Sequence, residues 1–140
     1  MIDPSLAFQT TLRASLVASL AVLEHVRPDN IRAGATRPER TPAIILSDAR
    51  IEFLGCASGS QRLARVTLNA HIWATEDGAD TARQIGAAVY SALEFGPRDT
   101  TEISVDEWAH PSLVWLRDPQ PERAFTHGVM AFEAVVRWRV

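Results

Sequence analysis

The clearest strand pattern in the sequence is RLARVTLNAHIWA, residues 62–74. Side chains along it alternate between two faces, which is the period of a strand with one covered face. The first face holds Ala64, Val66, Leu68, Ala70 and Ile72, and the second holds Arg65, Thr67, Asn69, His71 and Trp73. The sequence therefore predicts a half-exposed β-strand at 62–74.

A second strand and a long loop are predicted on the N-terminal side of this strand. Residues 43–53 are strand-like, with a break near Ser47-Asp48, and Gly55 to Gly59 form a turn. Residues 27–42 contain three prolines and four arginines, and we expect a loop there. At this length the loop exceeds an ordinary connection, which favours a functional or a mobile segment over a plain turn.

Three strands are predicted on the C-terminal side. A short strand at about 101–106 follows an acidic segment, and further strands cover 112–117 and 124–139. The last strand places Met130, Phe132, Ala134, Val136 and Trp138 on one face, and His127, Glu133, Arg137 and Arg139 on the other. Asp118-Pro119-Gln120-Pro121 reads as a short turn, so the last two strands are expected to pair as an antiparallel hairpin.

Two helices complete the prediction. Asp3-Pro4 is a helix start, and leucines at spacings of three to four follow, which predicts a helix over 4–25. A second helix is predicted over Ala79–Phe95, stopped by Gly96-Pro97. The expected fold class is α+β: one domain over 1–140, with two layers, a mainly antiparallel mixed sheet and both helices packed on one face.

Composition excludes several classes of function. The chain has 140 residues and a net charge of −3, which argues against a general nucleic-acid binder. All basic residues are arginine, so lysine-based catalysis is excluded. The single cysteine, Cys56, permits no internal disulfide and is expected to be a small buried residue. The N-terminus has no signal-peptide pattern, and no apolar run suits a membrane span, so we expect a cytoplasmic site of synthesis.

The search for catalytic chemistry finds no motif for a nucleophile, a phosphate loop or a metal. His71 and His127 could be neighbours across paired strands, and with Glu133 they could form a metal or enzymatic site. Solvated or interface histidines are the simpler interpretation. The prediction is accordingly a protein without enzymatic activity, cofactor or metal.

Interface candidates are more numerous than catalytic ones. Trp73 and Trp115 are either covered parts of the sheet or contacts with another protein, since exposed aromatic residues mark interfaces. The arginine-rich loop and the acidic segment are candidate mating surfaces. The full set of candidates is Arg32, Arg37, Arg40, Trp73, Asp99, Glu102, Trp115 and Arg137.

The whole pattern resembles the tail terminator, or tail completion, proteins of long-tailed phages and of phage-derived gene transfer agents. Four stretches carry the resemblance: the amphipathic helix Leu6 to Leu23; TPAIIL at 41–46; RVTLNAHIW at 65–73 with the helix Ala79–Leu93; and WLRDP at 115–119 with THGVMAFEAVV at 126–136. The acidic segment 98–110 fits the family pattern least well.

The resemblance implies a ring of subunits, usually six, at the head-proximal end of a tail tube. Such a ring stops tube polymerisation and docks to the head connector, while DNA passes through its lumen without sequence-specific binding. The implied partners are other copies of the chain, the tube protein and the connector or stopper protein; no membrane is involved. Assembly would occur in the host bacterial cytoplasm, and the protein would become part of the particle. The alternatives are a tube or head-completion subunit, and, in a different class, a small-ligand-binding domain or an enzyme.

Overall fold

Two long antiparallel strands form the centre of the molecule. The computed structural model describes residues 1–34, 37–77, 80–118 and 124–140. Strand β3 (Gln61–Thr75) pairs with β6 (Phe125–Arg139) along its whole length, from Gln61 opposite Arg139 to Thr75 opposite Phe125, without a register shift. The predicted strand at 62–74 and the predicted long final strand are both confirmed.

The sheet continues from β3 to β2 (Ala43–Cys56) and then to a short strand, β1 (Ile31–Ala33). The break expected near Ser47-Asp48 is present as a register shift between Ser47 and Arg50, where Asp48 has a left-handed φ of 62°. The prediction of an uninterrupted loop over 27–42 is wrong. Pro28–Asn30 form a 3₁₀ turn, and β1 pairs in parallel with β2, because Ile31 is a core residue.

On the other side of β6, the chain supplies β4 (Ser104–Trp108) and β5 (Ser112–Asp118). Both strands run antiparallel to β6, one beside its C-terminal half and one beside its N-terminal half. The antiparallel pairing predicted for the last two strands is therefore confirmed. The predicted short strand begins three residues later than expected, because the side chain of Thr100 accepts bonds from the amides of Glu102 and Ile103 in a turn. Residues 119–121 of the predicted turn lie outside the described residues.

The described residues contain three helices on one face of the sheet. They are α1 (Pro4–Val17), α2 (Leu20–Leu23) and α3 (Asp80–Leu93). The single helix predicted over 4–25 is wrong in its second half. Ser19 adopts an extended conformation, and its hydroxyl caps the amide of Val22, so a new short helix begins there. Helix α3 ends before Gly96 as predicted, and Ala79, its predicted first residue, lies outside the described residues.

The main core lies between this helical layer and one face of the sheet. The face predicted from alternation, Met130, Phe132, Ala134, Val136 and Trp138, is buried there together with Leu68 and Ile72. Phe8, Leu12 and Leu16 of α1 and Ile85, Val89 and Leu93 of α3 cover it. The predicted α+β fold class is confirmed. Within the described residues, the structure contains no helix with the length and apolarity of a membrane span.

The opposite face of the sheet is partly covered as well, which is one of the two interpretations that the sequence left open for Trp73. His71 and Trp73 point to this face, as the alternation indicates, but only 7% and 5% of their surfaces are exposed. Ala43 and Ile45 pair with these two residues in β2 and are also buried. The guanidinium of Arg37 lies 5.9 Å from the centre of the Trp73 ring, so the loop before β2 folds over this end of the face. Trp73 is thus buried within its own chain.

Candidate assembly interface

The arginine-rich segment lies at one edge of the sheet. Arg32 is in β1, the edge strand beside β2, and Arg37 and Arg40 follow in the loop that leads back to β2. Together with Asn30 these arginines line an open depression of about 510 Å³. The structure brings the three predicted arginines together in one basic surface.

The acidic segment lies at the opposite edge, beside β6. Asp99 and Glu102 are exposed in the turn before β4, and Asp99 accepts a 2.9 Å bond from the amide of Val105, which fixes the start of that strand. Asp106 pairs with Arg137 through nitrogen–oxygen distances of 3.0–3.2 Å. This contact raises the pKa of Arg137, chiefly through the hydrogen bonds to Asp106. Arg137 is therefore engaged within its own chain.

Oppositely charged surfaces thus lie at opposite edges of one sheet, but at different heights. Arg32 is level with Val129 of β6 through the registers of β1, β2 and β3, whereas Ser104 of β4 pairs with Arg137. Eight strand residues separate the two levels, roughly 25 Å along the sheet. Neighbouring copies could contact each other through opposite edges of their sheets. The arginine-rich loop and the acidic segment would then lie in different parts of that interface.

Trp115 lies on the face of the sheet that the helices cover, not on the open face. Its ring packs between Gly86 of α3 and Gly128 of β6: a Cβ atom built on Gly128 would lie 2.6 Å from the ring, and one on Gly86 would lie 2.9 Å from it. The guanidinium of Arg83 lies 5.8 Å from the ring centre. Trp115 therefore joins α3 to the β5 edge.

A polar cluster of a buried histidine, a half-buried histidine and an exposed aspartate occupies the other face around Trp73. His71 Nδ1 lies 2.8 Å from His127 Nε2, and His71 Nε2 lies 2.8 Å from a carboxylate oxygen of Asp48. The ring of His127 stacks on Trp73 with a centroid separation of 3.9 Å. A carboxylate only accepts, so in a neutral His71 the proton is on Nε2, and Nδ1 accepts from His127. The two histidines form a relay of hydrogen bonds that ties β2, β3 and β6 together.

The expected neighbourhood of His71 and His127 is present, but Glu133 is not part of it. Glu133 lies six residues from His127 along β6, about 20 Å away. Its side chain is 3.9 Å from Arg65 instead. Within the described residues, the structure shows no group of three or more histidine, cysteine or acidic side chains placed to hold a metal ion.

Asp48 is the member of this cluster that the sequence did not identify. Its carboxylate accepts a hydrogen bond from His71 and another, at 3.2 Å, from the side-chain amide of Asn69. These hydrogen bonds, that from His71 first, lower the pKa of Asp48 below its usual range. The available signal was the predicted break in the strand at Ser47-Asp48, since aspartate tolerates the left-handed conformation that such a break needs.

Asp48→Asn is expected to reduce the acid sensitivity of the fold. A carboxyl with a lowered folded pKa adds stability above its unfolded pKa, and this stability is lost as the pH falls through the lower folded value. Asparagine keeps the shape and tolerates the same backbone angle. Below about pH 4, the free energy of unfolding of the wild type should therefore fall more steeply than that of the variant. Denaturant unfolding at a series of pH values measures this, and equal slopes would contradict it.

Cys56 is exposed at the end of β2, so the expectation that it is buried is wrong. Strand β2 extends beyond residue 53, and Gly55 and Cys56 pair with Leu63 and Arg62 of β3 near its end. The alternation of residues could not show this, because it does not show which elements cover a strand.

The fold is similar to that of a chain in a solved structure. The chain resembles a chain of a solved structure described as "Virion of native gene transfer agent (GTA) particle", with a TM-score of 0.56 and 13% sequence identity over 92% of this chain and 93% of that one. At this identity the likeness establishes the fold. No curated protein matches the sequence significantly.

The sequence itself matches the family described as tail completion protein gp17 over residues 10–137. The chain therefore belongs to that family and is a structural component of a phage-type tail. The family is one of structural proteins and not of enzymes. The resemblance noted from the strand and hairpin patterns is confirmed.

Proposed function

We propose that this chain is the tail terminator: copies of it, six in number, close a ring at the head-proximal end of the tail tube. The ring stops tube growth, joins the tail to the head connector or stopper, and leaves a lumen through which DNA passes. The protein assembles in the host cytoplasm, remains in the particle and has no catalytic role. Membership of the tail completion family carries the proposal.

The arrangement of charge supports a ring rather than an isolated subunit. A ring needs two different surfaces on each copy, because neighbouring subunits meet through heterologous contacts. The basic surface of Arg32, Arg37 and Arg40 and the acidic surface of Asp99 and Glu102 lie at opposite edges of the sheet. Exposed ion pairs are individually weak, so these charges set orientation more than affinity.

The histidine cluster supports a structural role for residues that could otherwise suggest catalysis. His71 is buried, and both of its ring nitrogens are within hydrogen-bond distance of protein groups. The open face of the sheet therefore uses its histidines to hold three strands together.

Charge reversal at Arg32 and Arg40 tests the role of the basic surface. Arg37 is left unchanged because its guanidinium covers Trp73. The variant Arg32→Glu with Arg40→Glu should give several-fold fewer head-joined tails of normal length, counted by electron microscopy of particle-producing cells. The matched control, lysine at both positions, keeps the charge and should assemble normally. Normal, joined tails in the glutamate variant would show that this surface has no role in assembly.

A further inference from the structure

The outer edge of β2 is open over half its length. Strand β1 pairs only with Ile44–Leu46, so within the described residues no strand pairs with the outer side of residues 50–56. This edge carries exposed Phe53 and Leu54, at 68% and 40% exposure, and contains neither proline nor lysine. Soluble proteins usually blunt such an edge with those residues, because an open apolar edge pairs with another chain.

An apolar depression of about 560 Å³ lies directly beside this edge. Its lining includes Met1, Ile2 and Pro4 from the N-terminus, Ile51 and Phe53 from β2, and Trp138 from β6. Exposed apolar surface of this kind marks a contact with another protein.

The opposite edge of the same sheet is also open. Strands β4 and β5 pair only with β6 among the described strands. Phe95 lies beside this edge and is 89% exposed. The residue after it, Gly96, is packed against the ring of Trp108 in β4, which fixes the position of Phe95 at the end of α3.

The two open edges have strand directions suited to antiparallel pairing, and they lie at the same level along the sheet. Strands β2, β3, β6 and β4 alternate in direction, so β2 and β4 run oppositely at the two edges. Rotating one copy of the chain about an axis parallel to its strands does not change the direction in which any strand runs. If neighbouring copies are related by such a rotation, β4 of one copy therefore lies antiparallel to β2 of the next. Through the registers, Ser104 is level with Gly55, and Trp108 is level with Ile51. The open half of β2 and β4 are therefore at the same level.

The charges at the two edges are complementary. Arg50 on β2 and Glu107 on β4 point to the same face of the sheet, two strand residues apart in height. Neither has an ion-pair partner within the residues that the structure describes. Arg62, opposite Cys56, adds positive charge near the β2 edge, and Asp99 and Glu102 add negative charge near the β4 edge.

We propose that the subunits of the ring join by edge pairing: residues 50–56 of one copy form an antiparallel pair with β4 of the next copy. Phe95 of that next copy packs into the apolar depression, and Arg50 meets Glu107. The sheet then continues from subunit to subunit. This inference rests on the proposed ring and specifies how its members bind.

A cross-link through the native cysteine tests the pairing. Cys56 is the only cysteine and lies at the open edge, so Ser104→Cys adds one thiol on the opposite edge, one strand residue away in height. In particles assembled with this variant, a short bis-maleimide should yield trimers and larger species containing a peptide that links residues 56 and 104. The control Thr10→Cys, with its thiol at an exposed position of helix α1, should yield no such ladder.

Charge exchange gives the second readout. Arg50→Glu and Glu107→Arg should each reduce the yield of closed tails, and the double variant should restore it. Particles that contain the Ser104→Cys chain but lack the 56–104 link would overturn the edge pairing and leave the ring proposal standing. Absence of the wild-type chain from particles would overturn both.

Discussion

Replacing Phe132 by alanine is expected to lower the free energy of unfolding by about 3–5 kcal/mol. Phe132 is 1% exposed, lies opposite Leu68 at the centre of the sheet, and stacks on Trp108 with a centroid separation of 5.7 Å. Removing its ring leaves a cavity, because β6 is held in register with β3 over its whole length and cannot close in. Denaturant unfolding followed by circular dichroism measures the change.

The matched control is Phe95→Ala, which removes the same side chain from a position with 89% exposure. Its effect on the isolated subunit should be below about 0.5 kcal/mol. A loss of less than about 1 kcal/mol for Phe132→Ala would mean that this face of β6 is not the core.

Adding a methyl group at Gly128 is expected to lower the free energy of unfolding by about 1–3 kcal/mol, although alanine is normally the better strand residue. The new Cβ would lie 2.6 Å from the Trp115 ring, and Gly86 on the other side of the ring leaves no space for it to move. Glycine inside a strand here marks a close approach. Thermal and denaturant unfolding of the Gly128→Ala protein give the change.

The control for this prediction is the same substitution in a Trp115→Ala background. Without the indole ring, Gly128→Ala should become neutral or stabilising, since alanine restricts the unfolded chain more than glycine does. An equal cost in both backgrounds would show that Trp115 does not determine the need for glycine.

Periodicity in the sequence predicted those parts of the fold in which the pattern of apolar residues is compatible with only one structure. The alternation in 62–74 and 124–139 predicted both strands and the core face, because a side-chain period of two leaves one register for burial. It could not predict β1, whose residues Ile31–Ala33 are too few to show a period. The break of the first helix at Ser19 was also missed, because the apolar spacing continues across it into α2.

The candidate interface was predicted less completely, for a physical reason. The exposure of a side chain depends on which helices, loops or strands cover its face of the sheet. The alternation of residues along a strand does not show which elements these are. Trp73 lies on the predicted face, yet Arg37 and His127 cover it. Conversely, Phe53 and Cys56 are exposed near the end of β2. The role of the eight residues proposed as interface candidates stays a prediction.

The position of the chain in an assembled particle is the most direct test of the proposed terminator ring. Cryo-electron microscopy of particles in which the chain carries an added density marker would show where it lies. We expect one closed ring between the end of the tail tube and the head connector, with a lumen wide enough for DNA. Density repeated along the tube, or located only within the head, would contradict it and favour a tube or head-completion subunit.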